Sequence, residues 1–98
     1  MTKEQIIQKI VQNESILRDH GIKRIALFGS YSRGEQTSSS DVDLIWDLKK
    51  PRTLNSIGEA QHALNVLFPD IKIDTVFESA INKYFKASIA EDMIEILK

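Results

Sequence analysis

The sequence contains no cysteine, no long apolar run and no excess of either charge. Without cysteine, the chain can form neither a disulfide nor a metal site with thiolate ligands. No stretch is long and apolar enough to span a bilayer as a helix, and the first ten residues do not resemble a signal peptide. The net charge of −1 argues against a nucleic-acid-binding protein that depends on a basic surface. We therefore expect a cytoplasmic protein that binds no membrane.

Length and hydrophobic pattern predict one small α/β (α+β) domain. The 98 residues, 42% of them hydrophobic, can bury a modest core, so we assign residues 1–98 to a single domain. Apolar spacing predicts a first helix between a capping box at Thr2 and a stop at Gly21, with later helices near residues 54–68 and 81–93. Strands are predicted at residues 24–28, 42–48 and 72–77, and residues 94–97 fit either a helix end or a short strand. We expect a small mixed sheet with helices on one face.

The strongest functional signal is a pair of aspartates at the head of the second predicted strand. Side chains alternate along a strand, so Asp41 and Asp43 project from the same side, with Cα atoms about 6.5–7 Å apart. Two carboxylates at that spacing can converge on two metal ions about 3.5–4 Å apart, as in phosphoryl-transfer sites. Oxygen-only ligands suit Mg²⁺, or Mn²⁺, better than zinc.

A glycine-serine turn precedes this pair by ten residues, directly after the first predicted strand. Gly29 allows a ligand to approach the backbone closely, and Ser30 offers a hydroxyl and an N–H at a strand-to-helix turn, where anions bind. Arg33 could add a charged contact to a triphosphate or, equally, form a salt bridge within the loop. The turn and the aspartates together predict a site for a nucleoside triphosphate.

This arrangement of Gly29-Ser30, ten residues and Asp41-x-Asp43 resembles the motif of the DNA polymerase β-like nucleotidyltransferase superfamily. The short chain and the residues from Gly29 to Gly34 resemble its minimal branch, the MNT-domain family. The family pattern includes a third carboxylate on a later strand, and Asp74 stands inside an apolar segment, where an isolated charge would be costly. The resemblance implies the nucleotidyltransferase fold, with Asp41, Asp43 and Asp74 on the sheet face that the helices leave open.

The resemblance also implies an activity and a partner. Members of the minimal branch are antitoxins that transfer AMP from ATP to a tyrosine hydroxyl of a HEPN-domain toxin. The residues themselves indicate an enzyme in which Asp41, Asp43 and Asp74 hold Mg²⁺ and Asp74 accepts the proton of the acceptor hydroxyl. The sequence does not decide the base preference, the acceptor, or whether the protein forms a homo-oligomer.

Two other functions stay open at this point. A non-catalytic antitoxin would neutralise its partner by complex formation alone, although the intact aspartates argue against a decayed site. An enzyme acting on a small molecule would need a second lobe for its acceptor pocket, and the sequence offers none.

Several other side chains have an ordinary structural explanation. Helical spacing places Tyr84 and Phe85 in the core more readily than on a base-stacking surface, and Trp46 is expected in the core. Asp47 is expected to be a solvated charge at the strand end, and the isolated His20 and His62 to lie on the surface.

Overall fold

The chain forms four strands and five α-helices, which a computed structural model describes over residues 1–98. The helices are α1 (Lys3–Gln12), α2 (Glu14–Asp19), α3 (Ser30–Arg33), α4 (Leu54–Leu67) and α5 (Lys83–Ala90). The strands are β1 (Ile22–Phe28), β2 (Val42–Leu48), β3 (Ile73–Phe77) and β4 (Ile94–Leu97), and a 3₁₀ turn at Glu78–Ala80 follows β3. None of the helices combines the length and the apolar content that crossing a membrane requires.

The predicted first helix is present but is broken into two. Thr2 and Gln5 form the expected capping box at its start. Asn13 interrupts the helix: its backbone leaves helical geometry at φ −109° and ψ 20°, and its side-chain amide donates to Lys9 O at 2.7 Å. A side chain that bonds the backbone locally competes with the helical pattern, which explains the break. Gly21, at φ +88°, then turns the chain into β1.

The sheet has the strand order β3-β2-β1-β4 and mixes both kinds of pairing. β1 runs antiparallel to β2 and to β4, whereas β2 and β3 are parallel. Residues 94–97 therefore end the chain as a strand, which decides the alternative that the sequence left open. Sequence and structure agree on the fold class, a small mixed sheet packed with helices.

One face of the sheet carries the main core. Alternate residues of β2, including Leu44 and the buried Trp46, pack there against Ile6 of α1, Leu17 of α2 and Leu64 of α4. Burial of such side chains stabilises the fold by about 1.5–3 kcal/mol each. Leu54 is an exception to the predicted stripe of α4, because at the first position of the helix it is 91% exposed.

The second face of the sheet carries one helix, α5, which covers the middle of that face. Ile89 packs on Ala26 and Ile45 in a small separate cluster, and it is the buried residue of that helix. The expectation that Tyr84 and Phe85 lie in the core is wrong: Tyr84 is 88% exposed and Phe85 49% exposed. Helical spacing shows which residues share a face, but within α5 only Ile89 is buried.

Ion pairs fasten both ends of the α5 segment to β1. The guanidinium of Arg24 binds Glu78 in the 3₁₀ turn at 2.6 Å and also binds Glu95 of β4. Arg24 points to the same face as Ala26, which faces Ile45 across the strands. The second face thus has three regions: a carboxylate end around Asp43, the α5 contact in the middle, and the Arg24 ion pairs beyond it.

Candidate active site

Strand pairing brings the predicted carboxylates to one end of the second face. Asp43 faces Phe28 across the antiparallel pair of β1 and β2, and it faces Asp74 across the parallel pair of β2 and β3. Asp41 directly precedes β2, one residue before the buried Val42. Because alternate residues of a strand share a face, the sequence pattern predicted this placement of Asp41 and Asp43, and the family resemblance predicted that Asp74 lies with them.

The three carboxylates act on one another electrostatically. Burial raises the pKa of Asp43 above its usual value, and the charges of Asp74 and Asp41 raise it further, while Arg33 works in the opposite direction. Partial burial disfavours the ionised form, and like charges add to that effect. A nearby cation would therefore favour the ionised form of Asp43.

A lysine already supplies positive charge at this point. Lys72 Nζ lies 3.9 Å from Asp41 Oδ2 and 3.7 Å from Asp74 Oδ1. The side chain is largely exposed, so these contacts are weak in water. Strand alternation puts Lys72 on the same face as Asp74, but its position between the two carboxylates was not predicted. The spacing of two residues from Asp74 was the available signal.

Gly29 lies against the carboxylate of Asp43. Its backbone has φ +78° and ψ −157°, a region open essentially to glycine alone. A Cβ at this position would overlap Asp43 Oδ2 and stand 3.2 Å from Asp43 Cγ. The glycine is thus required twice, by its backbone conformation and by the space that the carboxylate occupies.

The turn after Gly29 is held by its own hydrogen bonds. Ser30 begins the one-turn helix α3, and Ser32, which is buried, donates from Oγ to Gly29 O at 2.7 Å. Arg33 forms the salt bridges that the sequence offered as one alternative: its Nε is 2.5 Å from Glu35 Oε1 and its Nη1 is 3.4 Å from Asp92 Oδ2. All three predicted residues of the turn lie at the carboxylate end of the sheet.

Two cavities flank the carboxylates. One of about 600 Å³ opens beside Asp41 and Lys72 and is lined by the hydroxyl side chains of residues 37–40. The other, of about 230 Å³, lies beside Gly29 and Arg33 and reaches α5. The larger volume is in the range of pockets that hold small-molecule ligands.

The chemistry of the donor set fits a hard divalent cation. Asp41, Asp43 and Asp74 offer carboxylate oxygens only, which suit Mg²⁺ or Mn²⁺. The raised pKa of Asp43 and the position of Lys72 both indicate a place where positive charge is favourable. The side chains of Asp41, Asp43 and Asp74 do not point to one common position. No group of three or more His, Asp or Glu residues is arranged to hold a metal ion.

Comparison with known proteins agrees with this geometry. Residues 5–96 match the family model of the nucleotidyltransferase domain. A protein of Methanocaldococcus jannaschii, provisionally named a protein adenylyltransferase, is 37% identical over 94 residues, which are 95% of this chain and 93% of that protein.

Solved structures show the same fold. One, provisionally described as a minimal nucleotidyltransferase, superposes with a TM-score of 0.78 at 28% identity, over 96% of this chain and 95% of the other. A second is a tri-AMPylated HEPN toxin of Shewanella oneidensis in complex with an MNT antitoxin, with a TM-score of 0.61 at 20% identity, over 97% and 71% of the two chains. The chain therefore belongs to the nucleotidyltransferase family, as its Gly-Ser and Asp-x-Asp motifs predicted, and it is an enzyme of that class, built on the fold of the minimal branch.

Proposed function

We propose that this protein transfers AMP from Mg²⁺-bound ATP to a tyrosine hydroxyl of a HEPN-type toxin, and so acts as its antitoxin. The observation that carries the proposal is the cross-strand pair of Asp43 and Asp74, with Asp41 beside it on one face. Paired carboxylates of this kind are the ligands of metal-dependent phosphoryl transfer.

In this proposal Asp41, Asp43 and Asp74 hold the Mg²⁺. When bound, the metal would neutralise charge on the α-phosphate and on the departing pyrophosphate. Asp74 accepts the proton of the acceptor hydroxyl. The hydroxyl oxygen then forms a bond to the α-phosphorus, the bond from that phosphorus to the bridging oxygen breaks, and pyrophosphate leaves with the electron pair.

The Gly-Ser turn receives the triphosphate. Gly29 has no side chain to displace the Asp43 carboxylate, and its backbone can approach a phosphate closely. Ser30 contributes its hydroxyl, and Arg33 exchanges Glu35 and Asp92 for phosphate oxygens. A guanidinium binds phosphate with two parallel hydrogen bonds, which favours this exchange.

Two relatives support the donor and the partner. The 37% identical relative carries the name of a protein adenylyltransferase, which supports AMP as the transferred group. The MNT antitoxin from Shewanella oneidensis, which shares the fold, is in complex with an AMPylated HEPN toxin, which supports a protein acceptor of that class. Positioning of the two reactants supplies much of the rate in such reactions, so docking of the partner would govern specificity.

The test uses the protein, Mg²⁺-ATP and the product of a neighbouring HEPN-type gene. We expect intact mass spectrometry to show added AMP on the toxin and peptide mapping to place it on a tyrosine. The same reaction with Asp43→Asn should give no added mass. Inhibition of the toxin in a tight complex without any mass change would contradict transfer and favour the non-catalytic antitoxin.

A further inference from the structure

A cavity of about 230 Å³ lies between the Gly-Ser turn and α5, and of its lining residues only Gly29 and Arg33 take part in the proposed transfer of AMP. Its apolar walls are Phe28, Phe85 and Ile89, and its polar walls include Ser88 and Asp92. Phe28 ends β1 and Phe85 belongs to α5, so two aromatic side chains reach the cavity from different elements.

The exposure of Phe85 is otherwise unexplained. The ring is 49% exposed, and Ile89 is the buried residue of α5, so Phe85 is not needed to pack the helix on the sheet. Half-exposed aromatic rings are costly to leave in water and are common where a flat ligand stacks. Tyr84 is more exposed still, but it does not line the cavity.

The position of the cavity relates it to the carboxylates. Gly29 and Arg33 also line it, and Gly29 is in contact with Asp43. A whole small-molecule ligand usually takes about 300–1,000 Å³, so this cavity suits only a part of one. Because Gly29 lines this cavity, a flat aromatic group carried by a ligand whose phosphates bind at Gly29 would lie close to it.

We propose that Phe85 and Phe28 form the subsite for the nucleobase of the donor nucleotide, with Phe85 as the stacking residue. This inference rests on the proposed function, because it requires a nucleotide at the Gly-Ser turn. Ser88 and Asp92 give the subsite a polar rim, and Asp92 can accept a hydrogen bond from a base amino or ring N–H group once Arg33 has moved to phosphate.

The experiment compares two probes that share phosphates and differ in the base. Binding of Mg²⁺-ATP and of Mg²⁺-tripolyphosphate is measured by calorimetry for the wild type, Phe85→Ala, Phe85→Tyr and Tyr84→Ala. We expect Phe85→Ala to weaken ATP binding about 10-fold, the loss typical of one stacked base, and to leave tripolyphosphate binding unchanged. Phe85→Tyr retains a ring and should bind ATP like the wild type. Tyr84→Ala, on the same helix but outside the cavity, should change neither.

Each other result overturns the inference in a distinguishable way. If Phe85→Ala binds ATP normally, the base lies elsewhere while the proposed transferase stands. Equal weakening of both probes would mean that Phe85 supports the fold of the site rather than the base. If Phe85→Ala binds ATP normally but loses affinity for the toxin partner, the ring belongs to a docking surface. A wild type that binds neither probe would remove the proposed function together with the subsite.

Discussion

Gly29 and Asp43 lie in direct contact, so that the Asp43 carboxylate can occupy its position only because residue 29 has no side chain. The contact joins the two halves of the motif, which are separated in sequence by residues 31–40. It also explains why the turn and the aspartates have to be considered together: a change at one position displaces the other.

Gly29→Ala should therefore damage both stability and the site. The new Cβ would collide with Asp43 and would force an alanine into a conformation open essentially to glycine, at a cost of about 2–3 kcal/mol or more. Gly34→Ala is the matched control, since Gly34 has φ +71° but open space around it, and should cost about 1 kcal/mol. Thermal unfolding measures both. Equal losses would contradict the role of the collision.

Asp43→Asn should reduce AMP transfer about 10²–10³-fold, because it removes one metal carboxylate. The control is Asp47→Asn, because Asp47 lies on the same strand and the same face as Asp43 but pairs with Arg52 and Lys23. Asp47→Asn should retain transfer and lose at most about 1 kcal/mol of stability. Transfer of label from α-labelled ATP to the partner measures the rates. Undiminished transfer by Asp43→Asn would exclude the proposed role.

Asp43→Asn should also make the metal-free protein more stable at neutral pH. The folded-state pKa of Asp43 is raised, so the folded protein holds the proton longer than the unfolded chain as pH rises. The wild type consequently loses stability as pH rises from the usual aspartate range through the raised pKa, and the loss persists above it. The variant has no such loss. Melting temperatures without Mg²⁺ should differ at pH 7 and converge at acidic pH, and a variant less stable at pH 7 would contradict this.

Lys72→Gln should increase the stabilisation that Mg²⁺ provides. The lysine ammonium lies within 4 Å of Asp41 and of Asp74, so it competes with a metal ion for the same carboxylates. Removal of the competitor tightens metal binding, and at the same concentration a ligand that binds more tightly stabilises the fold more. The rise in melting temperature on adding Mg²⁺ should be larger than in the wild type. Lys86→Gln, which loses a pair with Glu78 instead, should respond like the wild type, and a smaller rise in Lys72→Gln would overturn the prediction.

The sequence predicted the carboxylate face well because strands follow a simple rule. Alternation placed Asp41 and Asp43 on one side, and the resemblance added Asp74, whereas the pairing of β2 with β3 had to be found in the structure. The contact of Gly29 with Asp43 was not predictable in detail. It depends on the register between β1 and β2, which sequence periodicity does not contain.

The helices were predicted less completely. Spacing identified α5 but not which of its residues meet the sheet, so Tyr84 and Phe85 were assigned to the core although Ile89 alone is buried there. The break at Asn13 depends on one side-chain hydrogen bond, which competes with a helical pattern that continues on both sides. A local hydrogen bond decides where the first helix breaks, and partial packing decides which residues of α5 are buried. Neither alters the spacing of apolar residues, so the sequence pattern did not reveal them.

Arg24 of β1 holds the segment that contains α5 at both of its ends. One guanidinium holds Glu78 before α5 and Glu95 after it, so residues 78–95 form a closed loop whose two ends cannot separate while both ion pairs last. Between those ends, Ile89 is the buried anchor of the helix. α5 can therefore tilt over β1 and β2 without unpairing β4, and hydrogen exchange in the helix should be faster than in either strand. Motion of α5 beside the cavity that Phe85 lines would therefore leave the strand pairing of the sheet intact.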